Sequence, residues 1–326
     1  MLENKKRDQH YVFQAYLKSW VNTNEKLWCL RDGKMFDVKT NNIAFEKDFY
    51  RVNSLSNKEL EFIKLFFSKS SDAFKKEMNY FLKLYTTIDR EEKIFELIFK
   101  LCPKDVPEIS ETIDDINEMI DIARNNIMEE VYCDFEGEAC DWLKNLSEEN
   151  VDFLYTSSKE EKEKFISFVC SQYFRTKRMK DHTMHVLKEA EKYFVNKDFP
   201  QGSIKAENLY QPMLWLLSAK CSDAILKSHI NLLINKTDVP FITSDQPVIN
   251  LKADYEDFSQ QPDELVFYYP ISPYVAVKIN DNLCMKKIEL TNANDIYEYN
   301  DLINKAAYKM IFSKEKSAIS KYIFLT

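Results

Sequence analysis

The sequence predicts a mainly helical α+β protein, with a mixed or antiparallel sheet built from residues 27–40, 229–280 and the C-terminus. From Ser56, apolar residues recur at steps of three and four for well over a hundred residues, as in helices that bury one face. From His229 the period shifts towards two, and β-branched and aromatic residues dominate. Because the strands cluster and the helices lie between the clusters, α+β is favoured over βαβ alternation.

Composition indicates a globular protein of the cytoplasm. Of its 326 residues, 45% are hydrophobic and 14% are aromatic, which is ample for a large core. The seven cysteines are an odd number and are never spaced CxxC, so we interpret them as reduced core thiols. No signal-peptide core is visible, and no run approaches the roughly 18 apolar residues of a membrane span. We therefore expect a soluble, cytoplasmic protein without membrane contact.

Residue counts disfavour several functional classes. The chain has three glycines, whereas Walker and dinucleotide-binding loops need several within a few positions. The formal charge of −8, from 45 basic and 53 acidic residues, opposes tight binding of duplex nucleic acid but leaves room for a local basic groove. No Gly-x-Ser-x-Gly elbow is present, so serine-based acyl chemistry is unsupported.

The first elements expected are a helix and a hairpin. An apolar face at helical spacing predicts a helix over about 9–21. Asp32-Gly33 separates KLWCLRD from KMFDVKT and is the strongest hairpin signal in the chain. The two runs should therefore pair as antiparallel strands.

Helices should follow for much of the chain. Ser56 and Glu59 form a capping-box pattern before an apolar face that continues to Tyr85. Further helices are predicted at about 91–102, ending at Pro103, at about 110–132, after the turn 134–138, after Ser157 or Ser158, at 182–193 and at about 206–226. We expect one domain, residues 1–326, with a helical insertion at about 56–130.

The strands of the C-terminal region surround one polar turn. INLLINK, PFITS, PVINL, ELVFYYPI and YVAVKIN are separated by turn residues. A last helix is predicted at 294–312, and KYIFLT should close the sheet as an edge strand. In FITSDQP, residues 241–247, an apolar strand ends in a cluster of small polar groups. Such a strand-end turn is suited to holding a ligand.

Polar residues on separate elements are candidates for one site. Gln172 and Arg175 lie at i and i+3 on an apolar helix, so both face the same way, and a buried arginine needs a carboxylate or phosphate partner. Asp245 or Glu136 could be that partner in a structural ion pair, which carries the same weight as ligand binding. His10 could act as an acid or base or satisfy core backbone groups.

A carboxylate pair is the candidate metal site. Glu136 and Glu138 flank Gly137 between two predicted helices. A close pair of carboxylates can hold a divalent cation, whereas acidic residues at a helix entrance can instead stabilise the helix dipole. If a metal is present, Glu136, Glu138 and Asp245 are its expected ligands.

An ordered set of motifs resembles one family. QHYVFQAYLKSW, IAFEKDFYR, FEGEA, QYFRT, FITSDQPV, YPISP and YEYNDLINKAA occur in the order typical of the domain-of-unknown-function family 4238, marked by an N-terminal HYV motif. The resemblance implies family-motif positions at His10, Glu136, Gln172, Arg175, Thr176, Ser244, Asp245, Pro247, Ser272, Pro273 and Asn300. Phe13, Lys177 and Gln246 depart from the family's usual proline, proline and asparagine, which affects turn geometry more than charge. The family implies no established activity.

The leading hypothesis is a hydrolase that acts on a phosphate-containing or nucleotide substrate, as an effector in bacterial defence. Arg175 would hold the anion, Glu136 or Asp245 would activate water directly or through Mg²⁺, and His10 would protonate the leaving group. The remaining binding groups would be Gln172, Thr176, Thr243, Ser244 and Ser272.

Two alternatives remain. In a non-catalytic binding or regulatory protein, the same groups form a buried ion-pair network, the ligand is a small-molecule phosphate or a partner protein, and the helices of 56–130 provide the interface, including one for a homo-oligomer. The weaker alternative is a nuclease, since Asp245 and Lys252 echo a metal-dependent nuclease pattern. Asn250 stands where that pattern needs a carboxylate.

Overall fold

The computed structural model describes residues 4–102, 106–156, 159–255, 262–280 and 285–323. The chain is a mainly helical α+β protein, as predicted. It folds as two compact units: the first comprises residues 4–9, Glu46–Cys133 and Lys180–Leu216, and the second His10–Phe45, Asp134–Met179 and 217–323. The expected single domain with a helical insertion at about 56–130 stays a prediction.

The N-terminal hairpin is confirmed. The first elements are β1 (Asp8–His10), α1 (Gln14–Leu17), a 3-10 turn (Lys18–Trp20), β2 (Leu27–Arg31), β3 (Lys34–Val38), a second 3-10 turn (Thr40–Asn42) and β4 (Phe45–Lys47). Asp32 and Gly33 have φ of +50° and +69°, as a two-residue turn between right-twisted strands requires. The helix expected from about residue 9 begins at Gln14, because β1 and β4 form a two-stranded sheet.

Helices make up the middle of the chain. They are α2 (Asn57–Phe66), α3 (Asp72–Tyr85), α4 (Thr87–Leu101), α5 (Pro107–Ser147), α6 (Phe153–Thr156), α7 (Lys159–Phe174), α8 (Lys177–Tyr193) and α9 (Ala206–Ile225). The predicted capping box is present, since Ser56 Oγ accepts from Glu59 N at 3.2 Å and Ser56 N donates to Glu59 Oε2 at 2.7 Å. Pro103, Ser157 and Ser158 lie outside the described residues.

The predicted break at residues 134–138 is wrong, because α5 runs through it as one helix of 41 residues. A glycine inside a helix costs only about 1 kcal/mol. Apolar side chains on both sides of Gly137, among them Tyr132 and Trp142, are buried and favour the helix. A Cβ at Gly137 would meet nothing within 4 Å, so no close packing requires the glycine either.

Two sheets form in the second unit. The remaining elements are β5 (Ile230–Asn235), β6 (Thr243–Ser244), β7 (Ile249–Asn250), β8 (Phe267–Ser272), β9 (Val275–Ile279), β10 (Lys287–Leu290), α10 (Ala293–Ala306), β11 (Met310–Ser313) and α11 (Lys316–Ser320). One sheet has the order β10-β5-β9-β8-β7 and is mixed, because β10 pairs with β5 in parallel. The other is antiparallel and has the order β3-β2-β11-β6.

The C-terminal elements differ from the prediction. The last long helix was expected at 294–312, yet α10 ends at Ala306 and Met310–Ser313 is a strand. All four residues of β11 are buried, as suits a strand that pairs with β2 on one side and β6 on the other. KYIFLT is not the closing strand in its described part, because residues 321–323 form a turn. Residues 324–326 lie outside the described part of the chain.

The cysteines occupy both buried and exposed positions. None of the six cysteines within the described residues is part of a disulfide bond. Three of them, Cys29, Cys170 and Cys221, are buried, whereas Cys133 and Cys140 are exposed, so the expectation of core thiols fails for those two. No helix among the described residues is long and apolar enough to cross a membrane.

Candidate functional site

The FITSDQP segment is buried throughout. Phe241, Thr243, Ser244 and Gln246 have no exposed surface, and Asp245 is 1% exposed. Ser244 Oγ donates to Gln246 O at 2.9 Å and accepts from Gln246 N at 3.1 Å, which closes a tight turn. The polar groups of this strand end therefore face the protein interior.

Asp245 is held by main-chain amides. Its carboxylate accepts hydrogen bonds from Tyr308 N at 2.8 Å, Lys309 N at 2.9 Å and Met310 N at 3.1 Å, and its own N donates to Met310 O at 3.0 Å. Burial raises the pKa of Asp245 to about 6, although the three amides and the Arg178 charge act in the opposite direction. The side chain thus fixes the connection between α10 and β11.

Arg178 complements Asp245 on the same connection. Its guanidinium donates from Nη1 to Ala306 O at 3.0 Å and Ala307 O at 2.9 Å, and from Nη2 to Tyr255 O at 2.7 Å. The two bonds from Nη1 satisfy carbonyls at the C-terminus of α10, which the helix leaves without intrahelical donors. Burial lowers the pKa of Arg178. No sequence pattern indicates this role of Arg178, because the acceptors are main-chain atoms.

Arg175 and Glu136 form a buried ion pair. The Arg175 side chain is 2% exposed and that of Glu136 is 14% exposed, and Arg175 Nη1 donates to Glu136 Oε1. Arg175 Nη2 also donates to His10 O at 2.8 Å. Burial raises the pKa of the Glu136 carboxyl, and the Arg175 charge opposes that shift. Of the two carboxylates predicted as structural partners of Arg175, Glu136 is the one that pairs with it.

Glu138 has a different partner from Glu136. It pairs with Lys164 at 3.2 Å, and both side chains are about half exposed. Residues two apart on a helix point to different sides, so a continuous α5 separates Glu138 from Glu136. The expected position of these two carboxylates between two helices is therefore wrong, and their role as metal ligands stays a prediction. Among the described residues, no group of three or more His, Cys, Asp or Glu side chains is placed to hold a metal ion.

A hydrogen bond joins the segment that carries Arg175 to the segment that carries Asp245. Thr176 Oγ1 donates to Gln246 Oε1 and accepts from Met179 N at 3.4 Å, so Thr176 also caps α8. Gln246 Nε2 donates to Tyr173 O at 3.1 Å and Val248 O at 2.9 Å. Because Thr176 follows Arg175 and Gln246 follows Asp245, the two segments touch while the charged side chains take different partners.

The other predicted binding residues have internal or local contacts. Thr243 Oγ1 lies 2.6 Å from Tyr16 OH, which also donates to Pro270 O at 2.7 Å. Ser272 Oγ accepts from Tyr274 N at 3.4 Å in a surface turn. The His10 ring lies 5.5 Å from the Phe45 ring. Tyr16, a residue of the apolar face in the sequence, is a polar partner that sequence patterns did not single out.

Gln172 is buried, and one of its polar atoms lacks a hydrogen bond. It is 1% exposed, and its Nε2 has no hydrogen-bond partner within the described part of the chain. The buried hydroxyl of Tyr269 also has none, and burial raises its pKa, with a smaller contribution in the same direction from the Glu136 charge and an opposing one from Arg175. Buried donors of this kind are commonly satisfied by ordered water.

Comparison with known proteins yields one match. A family model described as "Protein of unknown function (DUF4238)" matches residues 8–317, nearly the whole chain. No curated protein and no solved structure matches the sequence.

Proposed function

We propose that this chain, which belongs to the DUF4238 family, is a binding or regulatory protein without catalytic activity. In this proposal the polar cluster predicted from the sequence is a structural network. The main observation in support is that Asp245 is a buried carboxylate that accepts hydrogen bonds from three main-chain amides. The alternatives of a hydrolase and a nuclease, and a role in bacterial defence, stay predictions.

A catalytic role would demand that these groups change partners. A general base must come within hydrogen-bond reach of the proton that it removes. Asp245 would have to release its amides, and Arg175 would have to leave Glu136 or the His10 carbonyl to hold a substrate anion. Leaving buried groups unpaired costs about 1–3 kcal/mol each, and more for charges. A structural role needs no such rearrangement.

The helices of the first unit offer a surface for a protein partner. Large apolar side chains are exposed on three consecutive helices: Leu65 and Phe66 on α2, Tyr80 and Leu84 on α3, and Ile94, Leu97, Ile98 and Leu101 on α4. Single exposed apolar residues are common, but a group that shares one helix face, as Ile94, Leu97, Ile98 and Leu101 do on α4, marks an interaction surface. These helices lie in the 56–130 segment that was predicted to provide an interface.

Alanine substitutions test the structural role. We expect Asp245→Ala and Arg175→Ala each to lower the free energy of unfolding by roughly 3–5 kcal/mol, because each leaves buried polar groups unpaired. The measurement is urea unfolding followed by circular dichroism. Asp223→Ala is the matched control, since Asp223 forms an exposed pair with Lys220, and its effect should stay within about 0.5 kcal/mol.

The opposite result would support a ligand site. If either variant were as stable as the wild type, and had lost heat of binding to inorganic phosphate or a nucleoside triphosphate in calorimetry, the residue would serve a ligand. The proposal that the polar cluster is a structural network would then be overturned.

A further inference from the structure

Small side chains meet where α7 contacts α9 within the second unit. Helix α7 supplies Ser167 and Cys170, which are one turn apart, and α9 supplies the sequence neighbours Cys221 and Ser222. The hydroxyl oxygens of Ser167 and Ser222 lie 2.8 Å apart. A direct hydrogen bond between two side chains this short requires the helix backbones to approach closely. Both cysteines therefore lie within one turn of a close contact between the helices.

The two cysteine thiols are neighbours at this contact. Cys170 has no exposed surface, and Cys221 is 7% exposed. The two thiols are within hydrogen-bond distance of each other. A disulfide needs two sulfur atoms about 2 Å apart, on cysteines whose backbones are already close. Neighbouring thiols on closely packed helices can meet this requirement by a small movement of their side chains.

The two thiols differ in their access to an oxidant. Cys221 lies one turn from the C-terminal end of α9 and keeps some exposed surface, and helix ends open more readily than helix centres. Burial raises the pKa of the Cys170 thiol, and the neighbouring Cys221 raises it further. Cys170 therefore stays protonated, so a small oxidant reacts first at Cys221. A second thiol beside a sulfenic acid converts it to a disulfide before further oxidation.

We propose that hydrogen peroxide oxidises Cys170 and Cys221 to a disulfide that joins α7 to α9. In the first step the Cys221 sulfur, having lost its proton, attacks one peroxide oxygen. The O–O bond breaks, a sulfenic acid forms, and the departing hydroxide takes up the proton as water. In the second step the Cys170 sulfur attacks the Cys221 sulfur, the S–O bond breaks, and the hydroxyl leaves as water with the Cys170 proton. Two thiols are oxidised and one peroxide is reduced to two waters.

The disulfide would restrain the segment that follows α7. Arg175 and Thr176 come directly after this helix and bond Glu136 and Gln246. An oxidised chain therefore holds this polar network on a helix that is covalently joined to α9. The inference concerns redox chemistry and is independent of the proposed binding function.

Mass spectrometry of the oxidised full chain tests the proposal. The parent variant lacks the three cysteines that are exposed or half-buried among the described residues, through Cys102→Ser, Cys133→Ser and Cys140→Ser. It is treated with hydrogen peroxide while folded, then unfolded, alkylated and digested. We expect a pair of peptides joined through Cys170 and Cys221, which a thiol reductant separates. Adding Cys29→Ala, which removes a buried cysteine of β2, is the matched control and should leave the joined peptides unchanged.

Single substitutions distinguish the roles of the two thiols. In Cys170→Ser the sulfenic acid at Cys221 has lost its neighbouring thiol, so sulfinic acid should accumulate there at least about 10-fold above the parent level. In Cys221→Ser, Cys170 should stay reduced, because it has no exposed surface. Circular dichroism checks that both variants keep the parent fold, and Cys170→Ala or Cys221→Ala replaces a serine variant that does not.

Urea unfolding gives a second readout. The disulfide would close a loop of about 50 residues and restrict the unfolded chain, so the oxidised parent should unfold at a higher urea concentration than the reduced parent. Cys170→Ser and Cys221→Ser should show no such increase after the same treatment. The inference would be overturned if the joined peptides did not form in the folded chain, or if they formed only in urea.

Discussion

The second unit contains two buried charged clusters that are satisfied in different ways. Asp245 and Arg178 bond main-chain amides and carbonyls around the α10–β11 connection. Glu136 and Arg175 bond each other, and Arg175 also donates to the His10 carbonyl. A side chain that bonds backbone fixes the path of the chain, and no second substitution can restore what its loss leaves unpaired. Two side chains that bond each other can be replaced together, so equal burial does not imply an equal role.

The backbone-bonding cluster should show nearly additive losses. Asp245→Ala and Arg178→Met remove hydrogen bonds from different main-chain groups, so the double variant should lose most of the sum of the single effects, less the attraction between the two charges, on the order of 5 kcal/mol. Urea unfolding of both single variants and the double variant measures this. If the double variant lost no more than Asp245→Ala alone, the two side chains would act as one pair and the contrast would disappear.

The ion pair should show strong coupling instead. Glu136→Leu and Arg175→Met should each cost about 3–4 kcal/mol by leaving one buried charge alone, whereas the double variant should cost less than either. The coupling energy in a double-mutant cycle should therefore exceed about 3 kcal/mol. The exposed pair Lys220–Asp223 is the control cycle, with an expected coupling below about 1 kcal/mol. Additive losses at Glu136 and Arg175 would refute the distinction between the clusters.

Asp245 should also give a pH dependence of stability. Its folded pKa of about 6 lies above the ordinary value of 3.8, so the folded state holds the proton more tightly than the unfolded state. This tighter proton binding adds roughly 2–3 kcal/mol to the free energy of unfolding. The full amount is present below about pH 3.8, and it is lost as the pH rises through 6.

The pH measurement needs a reference that lacks this carboxyl. Glu136 also has a raised pKa and adds an effect of the same sign, so wild type is compared with Asp245→Asn by urea unfolding between about pH 4 and pH 7. The stability advantage of the wild type should shrink as the pH rises. A constant difference across this range would show that Asp245 is not protonated more readily in the folded state.

Local sequence signals predicted the elements that depend on local chemistry. Asp32-Gly33 specified the hairpin because two residues with positive φ are needed there. Ser56 and Glu59 specified a helix start because their reciprocal bonds lie within one turn. By contrast, Gly137 suggested a break in the helix, which its buried apolar neighbours prevent. Met310–Ser313 continues a helical sequence pattern but forms a strand, because its partners β2 and β6 are distant in sequence.

The site was predictable where side chains meet side chains. The spacing of Gln172 and Arg175 predicted a buried arginine that needs a carboxylate, and Glu136 was one of two candidates. The partners of Asp245 and Arg178 are main-chain atoms, and every residue carries such atoms, so no sequence pattern identifies them. For that reason the sequence predicts a ligand-holding role for Asp245 and no role for Arg178.

The position of β11 sets the order in which the chain can complete its fold during synthesis. The strand lies between β2 and β6, although the ribosome delivers it about 280 residues after the hairpin of β2 and β3. Until Met310–Ser313 emerges, the free edge of β2 is open to pairing with another nascent chain, and Asp245 lacks the amides that it bonds in the finished protein. The nascent chain is therefore most vulnerable to aggregation just before its last strand arrives.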